Sequence, residues 1–141
     1  MSKPLIEVPE RIVYCADVIA RYGDRIVLIE RLGRIRGLAL PGGRQDPGET
    51  LTTTATREFR EETNLDLIIE CVLGMRGEAG RDPRGRNISC IFLGTAHGHP
   101  HGNPGESEVI LFDLKTFKEH KHRFAFDHAS ILKEYWNLLL S

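Results

Sequence analysis

Residues 43–64 read GRQDPGETLTTTATREFREETN. Asp46-Pro47-Gly48 marks a turn within a loop. From about Thr50 to Thr63 the period becomes that of a helix, with Leu51, Ala55 and Phe59 at i, i+4 and i+8. On a wheel turning about 100° per residue, with Glu58 at zero, Leu51 lies at about 20°, Ala55 at about 60° and Phe59 at about 100°, a stripe that faces a core. Glu62 falls at about 40°, inside that stripe, and Glu61 at about 300°, on its edge. A solvated helix would put its acids on the far side, because an unpaired buried carboxylate costs several kcal/mol. Three acids on one arc also repel one another, and a hard divalent cation, Mg²⁺ or Mn²⁺, relieves both costs. The competing reading is a solvated helix with Arg57 and Arg60 in i,i+4 ion pairs, which leaves the position of Glu62 without a reason.

Outward from this helix, Gly37 to Leu40 reads as a short strand ended by Pro41-Gly42-Gly43. Upstream, the apolar runs Ile12–Ala20 and Arg25–Glu30 flank the break Arg21-Tyr22-Gly23-Asp24, which predicts a β-hairpin. Downstream, strands are expected at Leu67–Leu73, Ile88–Ala96 and Glu108–Phe112, with loops over 79–87 and 97–105. Leu114–Glu119 reads as a short helical turn. A last helix is expected from about Asp127, as N-cap, through Leu132, Tyr135, Trp136 and Leu139. With no repeat and no linker, residues 1–141 read as one α/β domain in which strands outnumber helices.

From Gly43, five residues lead to Glu49 and seven more to Arg57, followed by Glu58, Phe59, Arg60, Glu61 and Glu62. This resembles the Nudix box, Gly-x5-Glu-x7-Arg-Glu-U-x-Glu-Glu-x-Gly-U, with U a bulky apolar residue. At the chain's own residue frequencies, the six fixed positions match by chance in about one such chain in ten thousand. Asn64 replaces the second Gly of the box, a mild change, since Asn is the next-best residue after Gly for a left-handed position closing a helix. Ala39-Leu40-Pro41-Gly42-Gly43 resembles the strand and loop before the box. The segment Asp82-Pro83-Arg84-Gly85-Arg86 before its strand, and Phe124 to Ala129, are similar to segments of ADP-ribose pyrophosphatases and of related Nudix-type regulators.

The resemblance implies an α/β/α sandwich around a mixed sheet and Mg²⁺-dependent hydrolysis, with Mn²⁺ a substitute, of a nucleoside diphosphate linked to another moiety. It implies that Glu58, Glu61 and Glu62 bind metal, with the carbonyl of Gly42 a further ligand. It also implies that Arg57 orients the carboxylates and that Glu49 opens the loop–helix segment. Such a cluster suits the chemistry: cations shield the phosphates and acidify a water, and a carboxylate takes its proton. The base differs among relatives, and Glu106 and Glu108, after the Gly-Pro-rich loop, are candidates from a later segment, Glu108 also as a metal ligand; an exposed strand start explains them nearly as well. Arg81, Arg84 and Arg86 can clamp phosphate or ribose, or make a turn and its solvated flanks; Arg34 and Arg36 are weaker candidates. His97, His99 and His101 read as a solvated loop, Tyr135 and Trp136 as core or dimer contact, and His128 as needing no special role.

Composition sets bounds on function. Lys plus Arg is 19 and Asp plus Glu 20, a net charge of −1, which argues against general nucleic-acid or membrane-surface binding. Cys15, Cys71 and Cys90 are odd in number and lack metal-ligand spacing, so a reducing interior is expected. Met1–Arg11 has no apolar leader core and no run approaches a membrane span, which reads as cytoplasmic. A small-molecule nucleotide is the expected partner, and a homodimer through the apolar first hairpin is open. The resemblance makes cleavage of ADP-ribose to AMP and ribose 5-phosphate the leading expectation. The alternatives are an oxidised-dGTP-type pyrophosphohydrolase and an ADP-ribose-type sensor. The sensor reading is disfavoured because every box acid is present and no DNA-binding extension is seen before Ser141.

Overall fold

The computed structural model describes residues 11–141; the N-terminal reading over residues 1–10 lies outside them. The strands are β1 Val13–Tyr22, β2 Arg25–Arg31, β3 Gly37–Ala39, β4 Gly42–Arg44, β5 Asp66–Arg76, β6 Asn87–His97 and β7 Ser107–Phe112. The helices are α1 Leu51–Thr63, α2 Phe117–His120 and α3 His128–Leu140, with single tight turns at Leu114–Thr116 and Lys121–Arg123 beside α2.

One mixed sheet runs β3-β2-β1-β6-β5, with β4 paired to β1 and β7 to β2. β1 and β6 lie parallel over nine register pairs, Val13 opposite Asn87 through Arg21 opposite Thr95, while every other pairing is antiparallel. Because side chains alternate across a strand, one face of the sheet carries Ala16, Val18, Val27 and Phe92, packed with Ala55 and Phe59 of α1. The other carries Ile19, Leu28 and Ile91, packed with Ile131, Leu132 and Tyr135 of α3. Both faces are covered, which explains why β1, β2 and β6 read as continuous apolar runs rather than alternating ones. The expected α/β/α sandwich is the observed fold.

The expected hairpin is present, turning at Gly23 with φ of 61°, a conformation glycine adopts without strain. The sequence reading missed β4. Gly42–Arg44 looked like loop because two glycines have no strand propensity; pairing with Cys15–Asp17 of β1 overrides it. α1 starts one residue after the expected Thr50, which caps it instead: Thr50 Oγ1 accepts from the Thr53 N–H at 3.2 Å. It ends at Asn64, whose φ of 60° and ψ of 19° are left-handed, and whose N–H donates to the Arg60 carbonyl at 2.9 Å. Asp127 stands at the N-cap of α3, yet its side chain makes no cap bond there. The carboxylate is taken by Arg81 instead, through bonds of 2.9 and 2.7 Å.

Candidate active site

Close backbone approach builds the site. A side chain on Gly43 would collide with the Glu58 carboxylate, and one on Gly42 with the Ala16 carbonyl and Asp17. Glycine at both positions lets α1 lie against β4, and Glu62 Oε1 accepts from the Gly42 N–H at 2.8 Å. On the other side of α1, Arg57 ties the loop to the helix. Its Nε and Nη2 donate to the two oxygens of Glu49 at 2.7 and 2.9 Å, its Nη1 to Glu58 Oε1 at 2.8 Å, and its Nη2 to the Arg44 carbonyl at 3.0 Å. Glu61 lies farther out, 3.3 Å from the same Nη1, with 56% of its side chain exposed.

The carboxylates respond differently to these surroundings. Hydrogen bonding from Arg57, then the Asp46 N–H, brings Glu49 down to about 2. Burial raises Glu58 despite Arg57. Burial also pushes Glu62 up to about 8, and the charges of Glu58 and Asp17 add to the shift while the Gly42 N–H offsets only part of it. Glu58 and Glu62 share a cavity of about 400 Å³ with Asp17, Arg31, Arg84 and Phe126. Two carboxylates whose ionised forms are disfavoured by burial fit a hard divalent cation, which takes one or two protein carboxylates and completes its shell with water and phosphate oxygens. Among the described residues no group of three acids, histidines or cysteines stands ready to hold an ion; Arg57 holds one oxygen of Glu58 and tethers Glu61.

The remaining candidates divide. Arg81 lines the cavity, but its side chain is 5% exposed and paired with Asp127, so it ties the loop before β6 to the start of α3. Arg84 is 61% exposed, is braced by Asp82 at 2.9 Å, and opens onto the same cavity. Arg86 bonds the Gly77 carbonyl and faces a neighbouring cleft. Arg34 and Arg36 are exposed and line neither of these cavities. Glu106 and Glu108 are exposed. The β2–β7 register sets Glu108 opposite Glu30, and it lines a separate cavity beyond the 97–105 loop, so the structure does not gather it with Glu58 and Glu62. His97 closes β6 rather than opening the loop, and it is exposed, as are His99 and His101 in the loop after it.

His128 has more to do than its sequence position suggested. It is buried and accepts the Leu40 N–H on Nδ1 at 3.0 Å, which leaves Nε2 as the N–H turned toward Asp17, 3.8 Å away. Burial lowers its pKa, so it is held neutral. Asp17 also accepts from Ser89 Oγ at 2.5 Å. A lone acid inside the apolar run Ile12–Ala20 was the signal for this network. Phe126 was missed as well. It is a non-glycine residue at φ of 55°, flanked by the guanidinium carbons of Arg31 at 5.3 Å and Arg84 at 5.4 Å from its ring centre.

The sequence profile of the NUDIX domain matches residues 11–135. The chain belongs to the Nudix family. It is 36% identical over 122 residues to the ADP-ribose pyrophosphatase of Methanocaldococcus jannaschii, across 84% of this chain and 70% of that one. Its fold is that of the Nudix domain of Shewanella oneidensis NrtR, solved in complex with ADP ribose, with a TM-score of 0.75 at 21% identity over 98% of this chain and 94% of that one. It also matches a bifunctional NMN adenylyltransferase/ADP ribose pyrophosphatase of Francisella tularensis, solved with AMP and a manganese ion, at a TM-score of 0.78 and 23% identity. That match covers 93% of this chain, which spans 42% of the bifunctional protein. The protein is a Nudix hydrolase. Among the described residues no helix is long and apolar enough to cross a membrane.

Proposed function

We propose that this Nudix hydrolase is a Mg²⁺-dependent ADP-ribose diphosphatase, with Mn²⁺ a working substitute. The observation that carries the reading is the pair Glu58 and Glu62, half-buried together in one cavity beside the Gly42–Gly43 backbone, with Glu62 pushed up to about 8. The substrate class rests on the 36% identity to an ADP-ribose pyrophosphatase. Glu58, Glu61, Glu62 and the Gly42 carbonyl would hold the cation. A cation held there would shield the diphosphate and lower the pKa of the attacking water. Arg57 orients Glu58 and Glu61, and its clasp on Glu49 keeps the loop before α1 in place. Arg84 and Arg31, over Phe126, face the negative charge of the substrate. Water adds to one phosphorus of the bridge, its proton passes to a box carboxylate, and the bridging P–O bond breaks to release AMP and ribose 5-phosphate.

Product analysis by ion-exchange chromatography tests this. Incubation with ADP-ribose and Mg²⁺ yields AMP and ribose 5-phosphate, and excess chelator abolishes both. Pyrophosphate release from nucleoside triphosphates, with ADP-ribose untouched, would overturn the substrate assignment.

A further inference from the structure

The chain has only five lysines, and four of them, Lys115, Lys118, Lys121 and Lys133, line one cavity of about 640 Å³ between the α2 region and α3. Among the described residues the lining carries no Asp or Glu, and none of the four lysines has an ion-pair partner. The contrast with the arginines is sharp: Arg21, Arg57 and Arg81 are each paired with a carboxylate. The wall is apolar, formed in part by buried Phe117 and half-buried Trp136. Four like charges around one concavity repel each other, with no acid in the described lining to offset them. A multiply charged anion would turn that repulsion into attraction.

We infer that this cavity is a nucleotide site, separate from the catalytic one, with the phosphates among the four lysines and the base against Trp136. Size and chemistry both select that class. The volume is that of a small-molecule pocket rather than of a macromolecular surface. Lysine binds phosphate as a point charge, and an indole face stacks on any base. No residue lining this cavity lines the one that holds Glu58 and Glu62. The two are joined through α3, whose first residue, His128, bonds Leu40 at the catalytic end while Lys133 and Trp136 lie farther along.

Trp136 is the chain's only tryptophan, so its fluorescence reports on this cavity. The whole protein is titrated with ADP in the presence of chelator, which keeps hydrolysis out of the measurement. The fluorescence change is expected to saturate, to shift to higher ADP as salt is raised, and to weaken roughly tenfold in K118Q/K133Q. Adenosine, lacking the phosphates, should bind at least about tenfold more weakly. Glu62→Gln should leave the titration as it is, which makes the result independent of the catalytic assignment. No saturable change at millimolar ADP, a change undiminished in the folded lysine double variant, or equal binding of adenosine would each overturn the proposal.

Discussion

Glu49 and Glu62 belong to the same loop–helix segment and part in opposite directions. Glu49 meets a bidentate guanidinium, a backbone N–H and a threonine hydroxyl, and is held down at about 2. Glu62 meets one backbone N–H and two other acids, and is pushed up to about 8. The first is an electrostatically complete clasp; the second is a carboxyl whose ionised form its surroundings disfavour. The difference shows that a run of acids around a helix is not one functional unit. Arg57 divides it, taking Glu49 wholly, Glu58 by one oxygen and Glu61 loosely, and leaving Glu62 to the pocket.

The sharpest way to break this contrast is to remove the charge from Glu62. Glu62→Gln is expected to lower kcat by roughly 10³-fold, because several kcal/mol of transition-state charge stabilisation depend on it. Stability should be kept or raised at pH 8, since a disfavoured buried charge is gone. Steady-state kinetics and urea unfolding measure the two, and near-native turnover would mean the cation sits elsewhere. Next in size is Gly43→Ala, whose added methyl forces the Glu58 carboxylate aside. Turnover should fall about a hundredfold, as misplacements near 1 Å do, while Asn64→Gly at the helix end leaves turnover unchanged.

The arginines give a smaller effect with an internal control. Arg84→Ala should raise KM about tenfold with little change in stability, given its exposure. Arg81→Ala should cost about 3 kcal/mol of stability, because it leaves Asp127 without its buried partner. If the two swap phenotypes, the division between substrate contact and structural tie is wrong.

Smallest is the pH dependence, where the two glutamates should act in separate windows. Glu62 rises from 4.5 in the unfolded chain to about 8 when folded, so the folded state holds a proton the unfolded one has lost. Metal-free stability therefore falls as pH rises through that interval, and Glu62→Gln flattens the slope. Glu49 drops from 4.5 to about 2, so its contribution is complete above 4.5 and is lost as pH falls toward 2. Urea midpoints across the range, for the parent, Glu49→Gln and Glu62→Gln, separate the two. Half-saturating Mg²⁺ should fall about tenfold per pH unit up to about 8, as the ion displaces the Glu62 proton.

By itself the sequence determined the local elements and the family. Helical spacing of Leu51, Ala55 and Phe59 placed α1 to within a residue, and the wheel position of Glu62 put a carboxylate on the inward side of the helix, where it lines the cavity. Turn chemistry placed the first hairpin, and the left-handed tolerance of Asn64 anticipated the helix end. These signals are local, carried by residues within a few turns of one another. Tertiary structure alone decided which distant residues meet. It paired Arg81 with Asp127, set Asp17 beside His128, brought Arg31 and Arg84 to the ring of Phe126, and kept Glu108 in another cavity. It also made Gly42–Arg44 a strand against propensity. Contacts like these depend on strand register and on how the two faces of the sheet are covered, and neither is written in the spacing of residues along the chain.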